Sequence, residues 1–243
     1  MTCIDLIYQC HLRPALTELV LDQAMRTLQP YDVRLILCYD GHDPAYIKRI
    51  LGEHHPWRVV ANYRKHKGHG LLLNEAFDQA GRGYIMFLEN DFYMNRDCIS
   101  EAVKALEESD WVMMHQFPFT LKEFDRVEEG VGWFRPGQMY KWNLHPSLQR
   151  EQYLAGRFPD LGPASVEHIY IRVYHTAGKI STCLLRENFT HIGVTNALGA
   201  FKQTHLPHMG IHSEATLEDV HSRFREIAQR SEHVELYREY LKI

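Results

Sequence analysis

Gly81-Arg82-Gly83-Tyr84-Ile85-Met86-Phe87-Leu88-Glu89-Asn90-Asp91-Phe92 decides how the rest of this 243-residue chain is read. The apolar run Tyr84 to Leu88 has no polar alternation, which predicts a strand covered on both faces, as in the parallel sheet of an α/β domain. It stops at two carboxylates. In an open α/β sheet, ligands bind in the crevice beyond the carboxyl ends of the strands, which is where Glu89 and Asp91 would stand. A divalent cation with oxygen ligands fits there. Mg2+ or Mn2+ takes one or two protein carboxylates and completes its shell with phosphate oxygens and water, which points to a bound nucleoside diphosphate. The same two residues also suit an ordinary turn after a buried strand, so the neighbouring segments have to discriminate.

The preceding segment, Lys67-Gly68-His69-Gly70-Leu71-Leu72-Leu73-Asn74-Glu75-Ala76-Phe77-Asp78-Gln79-Ala80, predicts a glycine-hinged loop and a short helix ending at Gly81. Together the two pieces resemble the core of nucleotide-sugar glycosyltransferases of the GT-A fold, family 2-like. In those enzymes a basic, glycine-bearing loop and an Asn-containing helix lead into a buried strand capped by an acidic DXD motif. The motif here is Glu89-Asn90-Asp91, with Glu in its first position, so which carboxylate touches the metal directly stays open. The resemblance implies donor-nucleotide contacts at Lys67, Gly70, Asn74 and Asn90, and metal contacts at Glu89 and Asp91.

Length and composition agree with one soluble α/β domain. The chain is long enough for a single sizeable core. Its net charge of −4 gives no global reason to expect nucleic acid. Cys3, Cys10, Cys38, Cys98 and Cys183 are odd in number and unpaired in spacing, which predicts reduced, mostly buried thiols rather than a disulfide scaffold or zinc site. No apolar run approaches the roughly twenty residues that cross a bilayer. Met1-Thr2-Cys3-Ile4-Asp5 lacks the basic start of a secretory signal, and the expected location is cytoplasmic.

From the amino end, Ile4 to Gln9 predicts a first strand. Pro14 suits the first turn of a helix carrying Leu16, Val20, Ala24 and Leu28 at four-residue spacing until Pro30. Val33 to Tyr39 predicts a second buried strand, ending at Asp40. A β–α–β start with an acidic residue closing its second strand is the pattern of a nucleotide-binding half-domain, although a strand-ending Asp is also a common turn residue. The resemblance puts Asp40 on the base or ribose and the end of the first strand, at Gln9, in the same pocket. Further strands are expected at Trp57 to Asn62 and Trp111 to His115, with a short helix after Pro44 and an amphipathic one from Asp97 to Glu108. The basic stretch Arg64 to Lys67 is a solvated loop or, from its place before the Gly70 helix, a diphosphate cradle.

Residues Lys122 to Val131 are charged and poorly patterned, and predict a surface loop or lid. The stretch Gly132 to Asn143 interleaves aromatics with Arg and Lys and is broken by Pro and Gly, which is awkward for a regular element. Trp133, Tyr140 and Trp142 could stack on a sugar ring as an acceptor platform, or form a minor cluster beneath a loop. Pro146 predicts a helix start in a segment similar to the family's NPS segment.

In the window Gly162 to Ile180 the resemblance is to the family's acidic helix, whose carboxylate serves as general base in inverting enzymes. Glu167 is the only carboxylate there, and His168 stands where the family has Asp, so either could take the proton. A strand from Ile180 to Leu185 follows. Phe189-Thr190-His191-Ile192-Gly193 then resembles the family's His-Ile-Gly, which makes His191 a metal ligand.

Taken together, the expectation is a single GT-A domain. It comprises a nucleotide-sugar half (1–116), an acceptor and catalytic half (117–215) and C-terminal helices (216–243). The expected chemistry is metal-dependent, inverting transfer of a sugar, a UDP-sugar favoured, to a glycan or small-molecule hydroxyl. Hydroxymethylated DNA is the alternative acceptor, and a nucleotidyltransferase or non-catalytic nucleotide-sugar-binding domain the alternative class.

Overall fold

The structure is a computed structural model and describes residues 1–10, 14–40, 45, 47–48, 54–62, 69–114, 124–134, 146–150, 180–186 and 188–191. By compactness the chain divides into Met1–Thr190 and His191–Ile243. The described strands of the first unit form a nine-stranded sheet. In chain order they are β1 (Cys3–Cys10), β2 (Asp32–Asp40), β3 (Arg58–Asn62), β4 (Tyr84–Glu89), β6 (Trp111–Met113), β7 (Phe124–Glu128), β8 (Val131–Phe134), β9 (Ser147–Arg150) and β10 (Ser181–Leu184). Two short strands, β5 (Phe92–Met94) and β11 (Phe189–His191), pair separately. The described helices are α1 (Pro14–Thr27), α2 (His69–Gln79) and α3 (Ile99–Ala105).

The sheet order is β3-β2-β1-β4-β9-β6-β10-β8-β7. β3, β2, β1 and β4 run parallel to one another, as β10 does to β6, whereas β9 lies antiparallel between β4 and β6. The far edge, β10-β8-β7, is antiparallel. The sheet is therefore mixed, with a parallel half as predicted and an antiparallel far edge. β4 matches its reading: Ile85, Met86, Phe87 and Leu88 are each at most 1% exposed. One face packs Ile7, Ile36, Ile85 and Phe87 against Leu72, Leu73 and Ala76 of α2. On α1, Val20 and Ala24 are fully buried as their spacing predicts, as is Leu28 just past its end, with Leu21 and Thr17 beside them.

Four sequence expectations are corrected. Pro146 starts no helix. Ser147, Leu148 and Gln149 are buried in β9, and Pro is tolerated where a strand begins, its carbonyl accepting from Met114 N at 2.7 Å. The predicted lid contains β7, exposed except at Phe124, which is why its charges hid the strand. Val131 to Phe134, the start of the aromatic stretch, is the regular strand β8. Glu129 (φ +49°) and Gly130 (φ +81°) make the two-residue turn of the β7–β8 hairpin, whose twist requires positive φ at both positions. The helix after Asp97 is shorter than predicted, with Asp97 Oδ1 accepting from Ile99 N at 2.9 Å.

At the amino edge of the sheet sits a buried ion pair that sequence reading did not find. Asp5 accepts two 2.5 Å bonds from Arg34, and also bonds from Gly81 N (2.6 Å) and Arg82 N (2.8 Å). It thereby fixes the turn that launches β4. In that turn Gly83 has φ +107°, and a Cβ there would lie 3.1 Å from the carbonyl oxygen of Cys3. Arg34 also stacks on Trp57, 4.1 Å from the ring centre, with Arg58 at 4.3 Å. Burial alone would raise the Asp5 pKa. The Arg34 guanidinium and the two N–H groups outweigh it and hold the carboxyl below its ordinary value.

Candidate active site at the carboxyl edge of the sheet

The strand register gathers the candidate residues at one edge. Gln9 on β1 lies opposite both Cys38 on β2 and Glu89 on β4, and Asp40 closes β2 level with Asn62 of β3. Gln9, Asp40 and Glu89 therefore reach the same carboxyl edge, as predicted for a parallel half-sheet. α2 begins there too. β3 ends at that edge, and the far end of α2 feeds the turn that enters β4 at the amino edge. Gly70 thus lies in the first turn of a helix whose free N–H groups face the edge where the carboxylates stand. Asn74 is half-buried one turn further on.

Strand alternation puts Glu89 on the face of Ile85 and Phe87, the face covered by α2. Glu89 is half-buried, Asn90 is 6% exposed and Asp91 8%. The turn they form is held from several sides. Asn90 N donates to Gln9 O at 3.0 Å, and Asn90 Nδ2 donates to the buried Thr17 Oγ1 of α1 at 2.8 Å. Tyr8 Oη in turn donates to Thr17 O at 2.8 Å. Gln23 Nε2 donates to Met94 O at 3.3 Å. Asn90, which the resemblance assigns to the donor nucleotide, has one amide hydrogen engaged within the fold.

β5 follows Asp91 directly and is closed by Asn188. Asn95 N donates to Asn188 O at 2.8 Å, and the fully buried Asn188 donates through Nδ2 to Met114 O at 3.0 Å. Asn95 comes just after β5 and Asn188 just before β11, two strands that pair with each other.

Two carboxylates at a strand end suit a hard divalent cation, which needs few protein ligands when substrate phosphate completes its shell. Among the described residues no three His, Cys, Asp or Glu side chains gather into a ready-made metal cage. Asp40, Gly70 and His191 are placed by their backbone. Lys67, Tyr140, Trp142, Glu167 and His168 lie outside the described residues, as does the stretch Arg64 to Lys67. Trp133, on β8, has Arg126 over its ring at 3.9 Å. It lines a cleft of about 740 Å3 with Glu101, Lys104, Glu108, Glu129 and Arg186. The five cysteines are free, and burial pushes the thiols of Cys10, Cys98 and Cys183 up, which keeps them protonated and inert. Sequence reading missed Thr17 and Asn188. The available signal was a hydroxyl on the core stripe of α1, three and four residues before Val20 and Leu21.

Residues 10–156 match the family described as Glycosyl transferase family 2, more than half of the chain. The chain belongs to glycosyltransferase family 2. Solved structures agree on the fold. S. aureus TarS superposes with a TM-score of 0.57 at 12% identity, over 98% of this chain and 44% of TarS. TarS 1-349 in complex with UDP-GlcNAc gives 0.52 at 13%, over 98% of this chain and 73% of that one. The mannosyltransferase PcManGT from Pyrobaculum calidifontis, in complex with GDP-Man and Mn2+, gives 0.57 at 13%, over 98% and 68%. At such identities the likeness is one of architecture, and the architecture is GT-A. This family 2 chain spans less than half the length of that TarS chain. No curated protein matches its sequence. Among its described residues no helix is long and apolar enough to cross a membrane.

Proposed function

We propose that this family 2 chain transfers a sugar from a nucleoside diphosphate to an acceptor hydroxyl with a divalent cation bound at Glu89-Asn90-Asp91. The observation that carries the proposal is the convergence of Gln9, Asp40 and Glu89 at one carboxyl edge, with the buried Asp91 in the turn beyond it. The two neighbours whose complexes are named hold UDP-GlcNAc and GDP-Man with Mn2+, which supports this ligand class.

In this reading Asp40 and Gln9 receive the nucleoside, while the amino end of α2 at Gly70, with Lys67 and Asn74, faces the diphosphate. Asp91, with Glu89 directly or through water, holds Mn2+ or Mg2+. His191, last residue of β11, is the third protein ligand. When bound, the cation neutralises charge on the departing diphosphate. Glu167, or His168 in its place, removes the acceptor proton as the new bond forms, which gives inversion at the sugar carbon. Trp133, Tyr140 and Trp142 are proposed on the acceptor side, and 1–243 acts as one catalytic domain of cytoplasmic type. A saccharide or other small hydroxyl compound is the preferred acceptor.

A thermal-shift series with UDP-, GDP-, CMP- and dTDP-sugars, each with and without Mn2+, tests the proposal. One nucleotide sugar is expected to raise the melting temperature in a Mn2+-dependent way, with the dependence lost in Asp91→Asn. Stabilisation by none of them, or stabilisation untouched by both Mn2+ and that substitution, overturns it. Transfer to hydroxymethylated duplex DNA that fell steeply with added salt would instead identify DNA as the acceptor.

A further inference from the structure

The acidic turn is held in place largely through neutral groups, and one of them lies far away in sequence on α1. Thr17 is fully buried, yet it sits on the stripe of α1 that otherwise carries Val20, Leu21 and Ala24 to the core. A hydroxyl there is costly to bury unless it is hydrogen-bonded. Its Oγ1 accepts from Asn90 Nδ2 at 2.8 Å, and its carbonyl accepts from Tyr8 Oη at 2.8 Å. Tyr8 lies opposite Leu88 in the β1–β4 register, and its neighbour Gln9 accepts from Asn90 N through its carbonyl at 3.0 Å. The middle residue of the acidic motif is thus gripped from β1 through its backbone and from α1 through its side chain. Both bonds act on the residue between the two carboxylates.

We infer that Thr17 is a positioning residue for the cation site: it fixes the Asn90 side chain and, through it, the angle at which Glu89 and Asp91 leave the strand. Removing its hydroxyl takes away the bond that ties the Asn90 side chain to α1. Coordination at oxygen ligands tolerates little displacement, and loss of such outer partners typically weakens metal binding by about 10–100-fold. The inference rests on the proposed metal role of Asp91, and the test separates the two.

Mn2+ alone is titrated into the full chain and free Mn2+ followed by electron paramagnetic resonance, alongside melting temperatures. Thr17→Val is close in shape and lacks the acceptor. It is expected to weaken Mn2+ binding about tenfold, with a modest fall in melting temperature because the buried Asn90 amide loses this acceptor. Thr17→Ser is expected to recover most of the affinity. Asn90→Ala removes the same bond from its other end and carries the same expectation should Thr17→Val fail to fold. Combining Thr17→Val with Asn90→Ala should weaken binding no further than either alone, as for two ends of one interaction. If Asp91→Asn binds Mn2+ as the unaltered chain does, the metal site itself is wrong. If Asp91→Asn loses binding while Thr17→Val and Asn90→Ala keep it, the positioning role of Thr17 is wrong.

Discussion

The two edges of the parallel half-sheet solve opposite problems with the same residue type. At the amino edge the carboxylate of Asp5 does the holding, collecting Arg34 and two backbone N–H groups and tying β1 to β2 and to the turn before β4. At the carboxyl edge a neutral amide does much of it, with Asn90 bonded to β1 and α1 between two carboxylates. The difference teaches how a fold handles buried acids. Where an arginine and two N–H groups are built around it, a carboxylate is an architectural part. At the other edge, neutral amides set the turn that carries the two carboxylates. On the proposed function, stability and function separate by edge, and each should be alterable with little effect on the other.

The largest effect tests that separation directly. Asp91→Asn should lower sugar transfer by roughly 10²–10³-fold, the scale on which loss of one charge-stabilising group is felt. The unfolding midpoint in denaturant should barely move, and a large fall in it would make Asp91 architectural like Asp5. The converse change is Arg34→Met, which strands the Asp5 carboxylate and should destabilise the chain by about 3 kcal/mol. Nucleotide and Mn2+ binding by the folded fraction should be retained.

The Asp5 pair also predicts a pH signature. Its carboxyl is held below the ordinary 3.8, so the unfolded chain takes up the proton first. The stabilisation is present above that value and is lost as pH falls through the lower, folded one. Melting temperature followed below about pH 4 should drop less steeply in Asp5→Asn than in the unaltered chain, and equal slopes would remove the role given to Arg34.

The antiparallel far edge sharpens the comparison on a smaller scale. A Cβ on Gly132 would come within 2.5–2.8 Å of the Phe124 ring, itself 4.8 Å from the Phe134 ring. Gly132→Ala should cost about 1–3 kcal/mol as overpacking, measurable by denaturant unfolding, and leave Mn2+ binding alone. Smallest of all is Lys104→Ala, which removes a 2.6 Å pair with Glu129 on open surface. Solvent and salt screen such a pair, so its melting temperature should match that of the unaltered chain at physiological ionic strength.

The sequence by itself determined the elements whose signal is local. The unbroken apolar run of β4, the four-residue spacing of α1 and the glycine-bounded α2 each state their burial pattern in adjacent residues. The parallel pairs at the amino half and the edge position of Asp40 and Glu89 follow from that β–α–β order, and the family resemblance follows from the order of the motifs. Tertiary structure decided what depends on partners distant in the chain. β9 reads as a helix start because four residues after a proline carry no period. It became a strand because β4 and β6 each leave an edge between which Ser147 to Arg150 can pair. β7 hid behind its exposed charges and is ordered by pairing with β8. Asp5 with Arg34 and Thr17 with Asn90 are polar residues in apolar stretches, each visible alone. Their pairing is a property of the folded chain, because a hydrogen bond depends on distance in space and the sequence records only distance along the chain.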